Sequence, residues 1–138
     1  NTEKIEVLKN PMRNSEWKAA RMTENLVDIS IDNSEKYTPH MLNMDITDGI
    51  SFQKGCYVGQ EVVARTEHIG RVKRRVIVYR LDSTDIKLDD KLFHNGKDTG
   101  AQIISIEGIM MMAMINITFK EKSLQYEGGN ATPFRAKL

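Results

Sequence analysis

Hydrophobic positions change period along the chain, and the change divides it. Over residues 14–27, NSEWKAARMTENLV, Trp17, Ala20 or Arg21, and Leu26 recur at approximate helical spacing. Asn14 or Ser15 serves as N-cap and Glu16 sits near the positive helix end, which predicts about three turns ending near Asn25, a residue that tolerates the left-handed cap conformation. The segment YTPHMLNMD repeats this on a smaller scale: Thr38 caps, Pro39 takes the first helical position, and Met41, Leu42 and Met44 turn inward. After an Asp48-Gly49 turn, Ile50 and Phe52 alternate with Ser51 and Gln53, the period of a short strand. From Val58 onward VGQEVVART supplies Val58 and Val62 four apart, with the helix formers Gln60, Glu61 and Ala64. Strand, tight turn and helix are the predicted order, with Cys56 at or just before the helix start.

Beyond residue 70 the period becomes two. VKRRVIVYRL places Lys73, Arg75, Ile77, Tyr79 and Leu81 on one face and Val72, Arg74, Val76, Val78 and Arg80 on the other. There follow an Asn95-Gly96 hairpin signal, the run AQIISI, a Glu107-Gly108 turn, IMMMAMINITF, and ATPFRAKL after Gly128 and Gly129. Short strands with frequent turns predict a small antiparallel barrel. The fold class expected is therefore α+β, with residues 1–70 as one piece and 71–138 as a β-barrel.

Composition narrows the functions. A chain of 138 residues fits about one average domain, or one small domain and part of another. Its apolar runs fall short of the roughly 20 residues that span a bilayer, so no membrane partner is expected. Twenty basic and nineteen acidic residues give a net charge of +1, which supplies no global field toward nucleic acid or anionic lipid. One cysteine makes no internal disulfide, and the start of the sequence does not read as a secretory leader; a reducing cytoplasm, or the mitochondrial matrix in a eukaryote, is expected.

That cysteine, Cys56, lies in SFQKGCYVGQEVVART. Lys54, exposed amides and a following helix start would favour its thiolate, the reactive form. An isolated cysteine is more often a small buried hydrophobe. Gly55 and Gly59 admit close backbone approach, either to cradle an anion or simply to make a tight turn. Gln60 and Glu61 have the groups to hold an amide edge of a ligand, while Glu61 equally suits a helix start. His40, His68 and His94 lack paired ligand spacing, so no resident metal is predicted and the three read as surface or cap residues. The basic run at Arg71, Lys73, Arg74 and Arg75 is the best case for RNA, but its alternation fits a charged strand edge better, and stable nucleic-acid binding is not expected. Met110, Met111, Met112 and Met114 read as adaptable core.

Lys54, Gly55, Cys56, Tyr57, Gly59, Gln60 and Glu61, in KGCYVGQE, resemble the signature of the YgfZ-type folate-binding proteins, relatives of the glycine-cleavage T-protein, or aminomethyltransferase. PHMLNMD, GISF and KRRVIVYRL resemble the family's flanking segments in the same order. The resemblance implies the C-terminal portion of a longer protein: the last part of a folate-binding domain, then the barrel. It implies support of iron-sulfur cluster assembly or repair in enzymes, including tRNA-modifying ones, with iron-sulfur enzymes or cluster carriers as partners. Cys56 would carry the chemistry and Lys54 tune it, while Gly55, Tyr57, Gly59, Gln60, Glu61 and Arg21 would serve tetrahydrofolate. Relatives that transfer aminomethyl groups look like FIG where this chain has Tyr57-Val58-Gly59, which favours a non-enzymatic assembly factor over a transferase. The chain departs from the family at Arg21-Met22-Thr23-Glu24-Asn25, where the family resembles Arg-hydrophobic-Glu-Ala-Gly.

Overall fold

The computed structural model describes residues 13–134. Helix α1 (Asn14–Thr23) begins with the Glu16 carboxylate accepting from the Arg13 backbone N–H at 3.0 Å. It ends as the sequence predicts: Asn25 is left-handed at φ 59°, its N–H donates to Met22 O, and the Leu26 N–H donates to Arg21 O at 2.9 Å. This closes the last turn and satisfies carbonyls that would otherwise be orphaned. The face differs from the expected one. Met22 is the buried residue of α1, whereas Trp17 and Leu26 are exposed.

Residues 38–48 form a run of turns rather than the expected helix. The Met41 N–H donates to Thr38 Oγ1 as a cap, but Asn43 at φ 62° ends the helical path after about one turn. Asn43 adopts that conformation while its amide donates to the Val76 carbonyl at 2.7 Å. No strand forms at Ile50–Gln53, because no neighbouring backbone among the described residues pairs with it. The helix predicted from Val58 onward is present as α2 (Glu61–His68).

Seven antiparallel strands follow: β1 (Arg74–Leu81), β2 (Phe93–His94), β3 (Lys97–Asp98), β4 (Gln102–Glu107), β5 (Met110–Asn116), β6 (Leu124–Tyr126) and β7 (Gly129–Pro133). A 3-10 turn at Ile117–Phe119 separates β5 from β6. The strand order is β3-β2-β6-β7-β1-β5-β4. The sheet curls into a half-barrel, and among the described residues no pairing closes β3 onto β4. The α+β character is thus present, while the barrel is open.

Strand β1 lies between β5 and β7 and is buried on both faces. Ile77, Tyr79 and Leu81 enter a cluster with Leu92, Ile103, Met111, Ala113, Ile115 and Leu124. Val76 and Val78 enter a second cluster with Met22, Leu42, Met110, Met112 and Met114. The methionine stripe is core on two sides of one strand, as period two requires. Buried side chains from α1 and the 38–48 turns therefore share a core with the sheet.

Candidate functional site

The cysteine loop hangs between two fixed points. Upstream, Asp48 at φ 55° and Gly49 reverse the chain, and the Ile50 N–H donates to Met44 O at 3.1 Å. Downstream, Gly59 at φ 90° sets up the entry to α2, a conformation that glycine adopts without the penalty of a Cβ. Gln60 precedes the helix, its carbonyl accepting from the Ala64 N–H at 2.9 Å.

Between them, Lys54, Gly55, Cys56, Tyr57 and Gln60 line a pocket of about 450 Å³. Its other walls include Met44, Phe52, Val63, Ala64 and His68. Cys56 is a free, exposed thiol. It lies five residues before the first residue of α2, farther from the helix end than predicted. A Cβ on Gly55 would meet nothing within 4 Å, so local packing does not explain a glycine there. Gly59 and Glu61 do not line the pocket; one makes the turn and the other opens the helix. Arg21 is elsewhere: it pairs with Asp28 and lies 5.9 Å over the Trp17 ring.

Behind the pocket is a polar cluster that the sequence reading missed. Arg75 of β1 donates from Nη1 to Asp45 Oδ1 at 2.8 Å and from Nη2 to Asp45 Oδ2 at 2.6 Å. Its Nη1 also reaches the His40 carbonyl at 2.8 Å and Asn43 Oδ1 at 3.3 Å. Burial pushes the Asp45 carboxyl up, but the hydrogen bonds and charge of Arg75 outweigh it and hold Asp45 below the usual carboxylate range. His40 is only 1% exposed, which corrects its reading as a surface or cap residue. Its Nε2 lies 3.3 Å from Glu67 Oε2 on α2. The available signal was Arg75 itself, a cation leading into a run of four buried positions, Val76 to Tyr79.

Ligand atoms of His40, Asp45 and Glu67 lie within 4.8 Å of one another, a metal-like spacing. Arg75 already engages both oxygens of Asp45 and supplies the positive charge that a metal ion would bring. The basic run is partly used in the same way: Arg74 donates to Gly100 O at 3.0 Å and to Met114 O at 3.3 Å. Of the four, Arg71 and Lys73 are exposed, and Arg74 and Arg75 are half-buried.

The described chain is thus an α+β protein with a curled antiparallel sheet and a free, exposed cysteine in a glycine-bearing loop that lines a pocket. No family model matches the chain. It is similar to a tRNA-modifying protein YgfZ of Colwellia psychrerythraea, 43% identical over 60 residues, which are 44% of this chain and 18% of that protein. It is similar to a mitochondrial iron-sulfur cluster assembly factor IBA57 homolog of Coccidioides immitis, 32% identical over 104 residues, 75% of this chain and 23% of the relative. A YgfZ of Hamiltonella defensa is 29% identical over 123 residues, 81% of this chain and 36% of the relative. The chain belongs to the YgfZ-type family. It matches well under half the length of each of these relatives. Among the described residues, no helix is long and apolar enough to cross a membrane.

Proposed function

We propose that this chain is the cysteine-bearing part of a tetrahydrofolate-binding auxiliary protein that supports assembly or repair of iron-sulfur enzymes, including tRNA-modifying ones. The observation that carries the reading is the exposed Cys56 in a pocket shared with Lys54, Gly55, Tyr57 and Gln60. A free, exposed thiol is available for exchange or for transient contact with a partner's cluster. One cysteine is too few for a cluster of the usual ligand count, so a cluster contacted by Cys56 takes its other ligands from outside this chain.

The pocket suits part of a folate. Its volume is within the range of small-molecule sites, roughly 300 to 1,000 Å³. Phe52 and Met44 offer apolar contact, Gln60 an amide edge, and Lys54 a charge for a carboxylate. Tetrahydrofolate would supply a reduced pterin there; Cys56 and Lys54 are the chain's own chemical groups.

The test replaces Cys56 with Ser in the full-length protein and measures the activity of an iron-sulfur enzyme in cells that depend on it. Loss of that activity with an unchanged circular dichroism spectrum is the expected result; full activity would remove Cys56 from the role. Tetrahydrofolate should also slow alkylation of Cys56 by iodoacetamide, and an unchanged rate would separate folate from this pocket.

A further inference from the structure

Helix α2 has eight residues, none of them buried. Isolated helices shorter than about 12 residues are marginal in water, so α2 needs an anchor outside itself. Val63, Ala64 and Thr66 are half-buried, and the Thr66 hydroxyl is spent on the Val62 carbonyl of its own helix. Among the described residues, the polar contact that ties a side chain of α2 to the rest of the fold joins His40 Nε2 and Glu67 Oε2. A carboxylate only accepts, so Nε2–H is the donor.

His40 is well placed to be that anchor. Its ring lies 6.0 Å from the Phe52 ring, centroid to centroid, and its carbonyl is held by Arg75, which is itself clamped on Asp45. A continuous polar chain therefore runs from β1 through His40 to α2, behind the pocket that contains Cys56.

We infer that His40 and Glu67 are positioning residues that latch α2, and with it the Lys54–Gln60 loop, against the 39–45 turns, so fixing the shape of the pocket around Cys56. Its functional meaning rests on the proposed role of Cys56, but the contact between His40 and Glu67 stands without that role. Glu67 is the residue to change, because its side chain is 38% exposed and its loss leaves no large cavity.

Amide hydrogen exchange should be measured on the wild type, Glu67→Ala and Glu67→Gln. In Glu67→Ala the amides of α2 should exchange about tenfold faster or more, given the usual strength of a hydrogen bond to a charged group, while those of β1 and β5 are unchanged. Glu67→Gln, whose carbonyl still accepts from His40, should recover most of the protection. Equal protection of α2 in Glu67→Ala and wild type would overturn the latch, because the apolar contacts would then suffice. Loss of protection in β1 and β5 as well would overturn it too, making Glu67 a general stability residue. Cys56→Ser, measured alongside, separates the two readings: full enzyme support with that variant would remove the role of Cys56 and leave the latch standing.

Discussion

Arg75 and Asp45 carry the strongest electrostatic commitment in the described structure, with both side chains only 13% exposed and two charge-assisted bonds between them. Removing one partner strands the other where water reaches it poorly. Asp45→Asn should therefore cost about 2 kcal/mol at neutral pH, less than a fully buried pair because some solvent screening remains. Because the folded-state pKa of Asp45 is depressed, its contribution is present above the unfolded value near 4 and is lost as pH falls through the folded value. Asp82, held low by the Asn130 backbone and side-chain bonds, and Asp98, held low by the Gly100 N–H, titrate in the same direction. The informative quantity is thus the difference between wild type and Asp45→Asn in urea unfolding, which should be near its full size at pH 7 and shrink toward pH 3. A difference that stays constant over that range would mean that the pair stabilises by packing, not charge.

At the scale of elements, the hairpin at Asn95–Gly96 shows what a local signal can determine. Both residues are left-handed, at φ 51° and 74°, as the two central positions of the tightest hairpin turn require. Gly96→Ala should lower the unfolding free energy by about 1 kcal/mol, measured by thermal melting, because a Cβ is disfavoured there even though nothing lies within 4 Å of it. The same kind of information made β1, β4, β5 and the cap at Asn25 legible, since alternation and turn chemistry act over a few residues. The turns at 38–48 were not legible as such, because long-range bonds set them: Asn43 to the Val76 carbonyl, the Val76 N–H to Met41 O, and Arg75 to Asp45. Strand β6 spans only Leu124–Tyr126, too short for a period to show. The site divides likewise. Lys54, Gly55, Cys56, Tyr57 and Gln60 are neighbours in sequence and meet around one pocket, whereas Met44, Phe52 and His68 reach its walls through the turn at Asp48–Gly49 and the path of α2. Arg21 was assigned by resemblance alone and is engaged with Asp28.

For the whole molecule, the two core clusters are not independent, because they occupy opposite faces of the same strands. Val76 and Val78 face Met22 and Leu42, while Ile77, Tyr79 and Leu81 face Leu92 and Leu124. Met111, Ala113 and Ile115 on β5 stand opposite Met110, Met112 and Met114 in the same way. Losing either cluster exposes one face of β1 and β5, the strands with the longest ladder in the sheet, from Arg74↔Asn116 to Arg80↔Met110. Burial of one such large apolar side chain is worth roughly 1.5 to 3 kcal/mol, so a state keeping only one cluster would forgo several of these at once. The described residues before Gly70 and the sheet after it should consequently unfold together. Trp17, the only tryptophan and a residue of α1, reports on the first; the backbone amide NMR signals of β1 and β5, followed through the same titration, report on the second. In urea the two signals should give one midpoint and one slope. An earlier Trp17 transition would show that α1 detaches while the half-barrel stays folded, and would make the methionine-lined face a surface that the sheet can leave open.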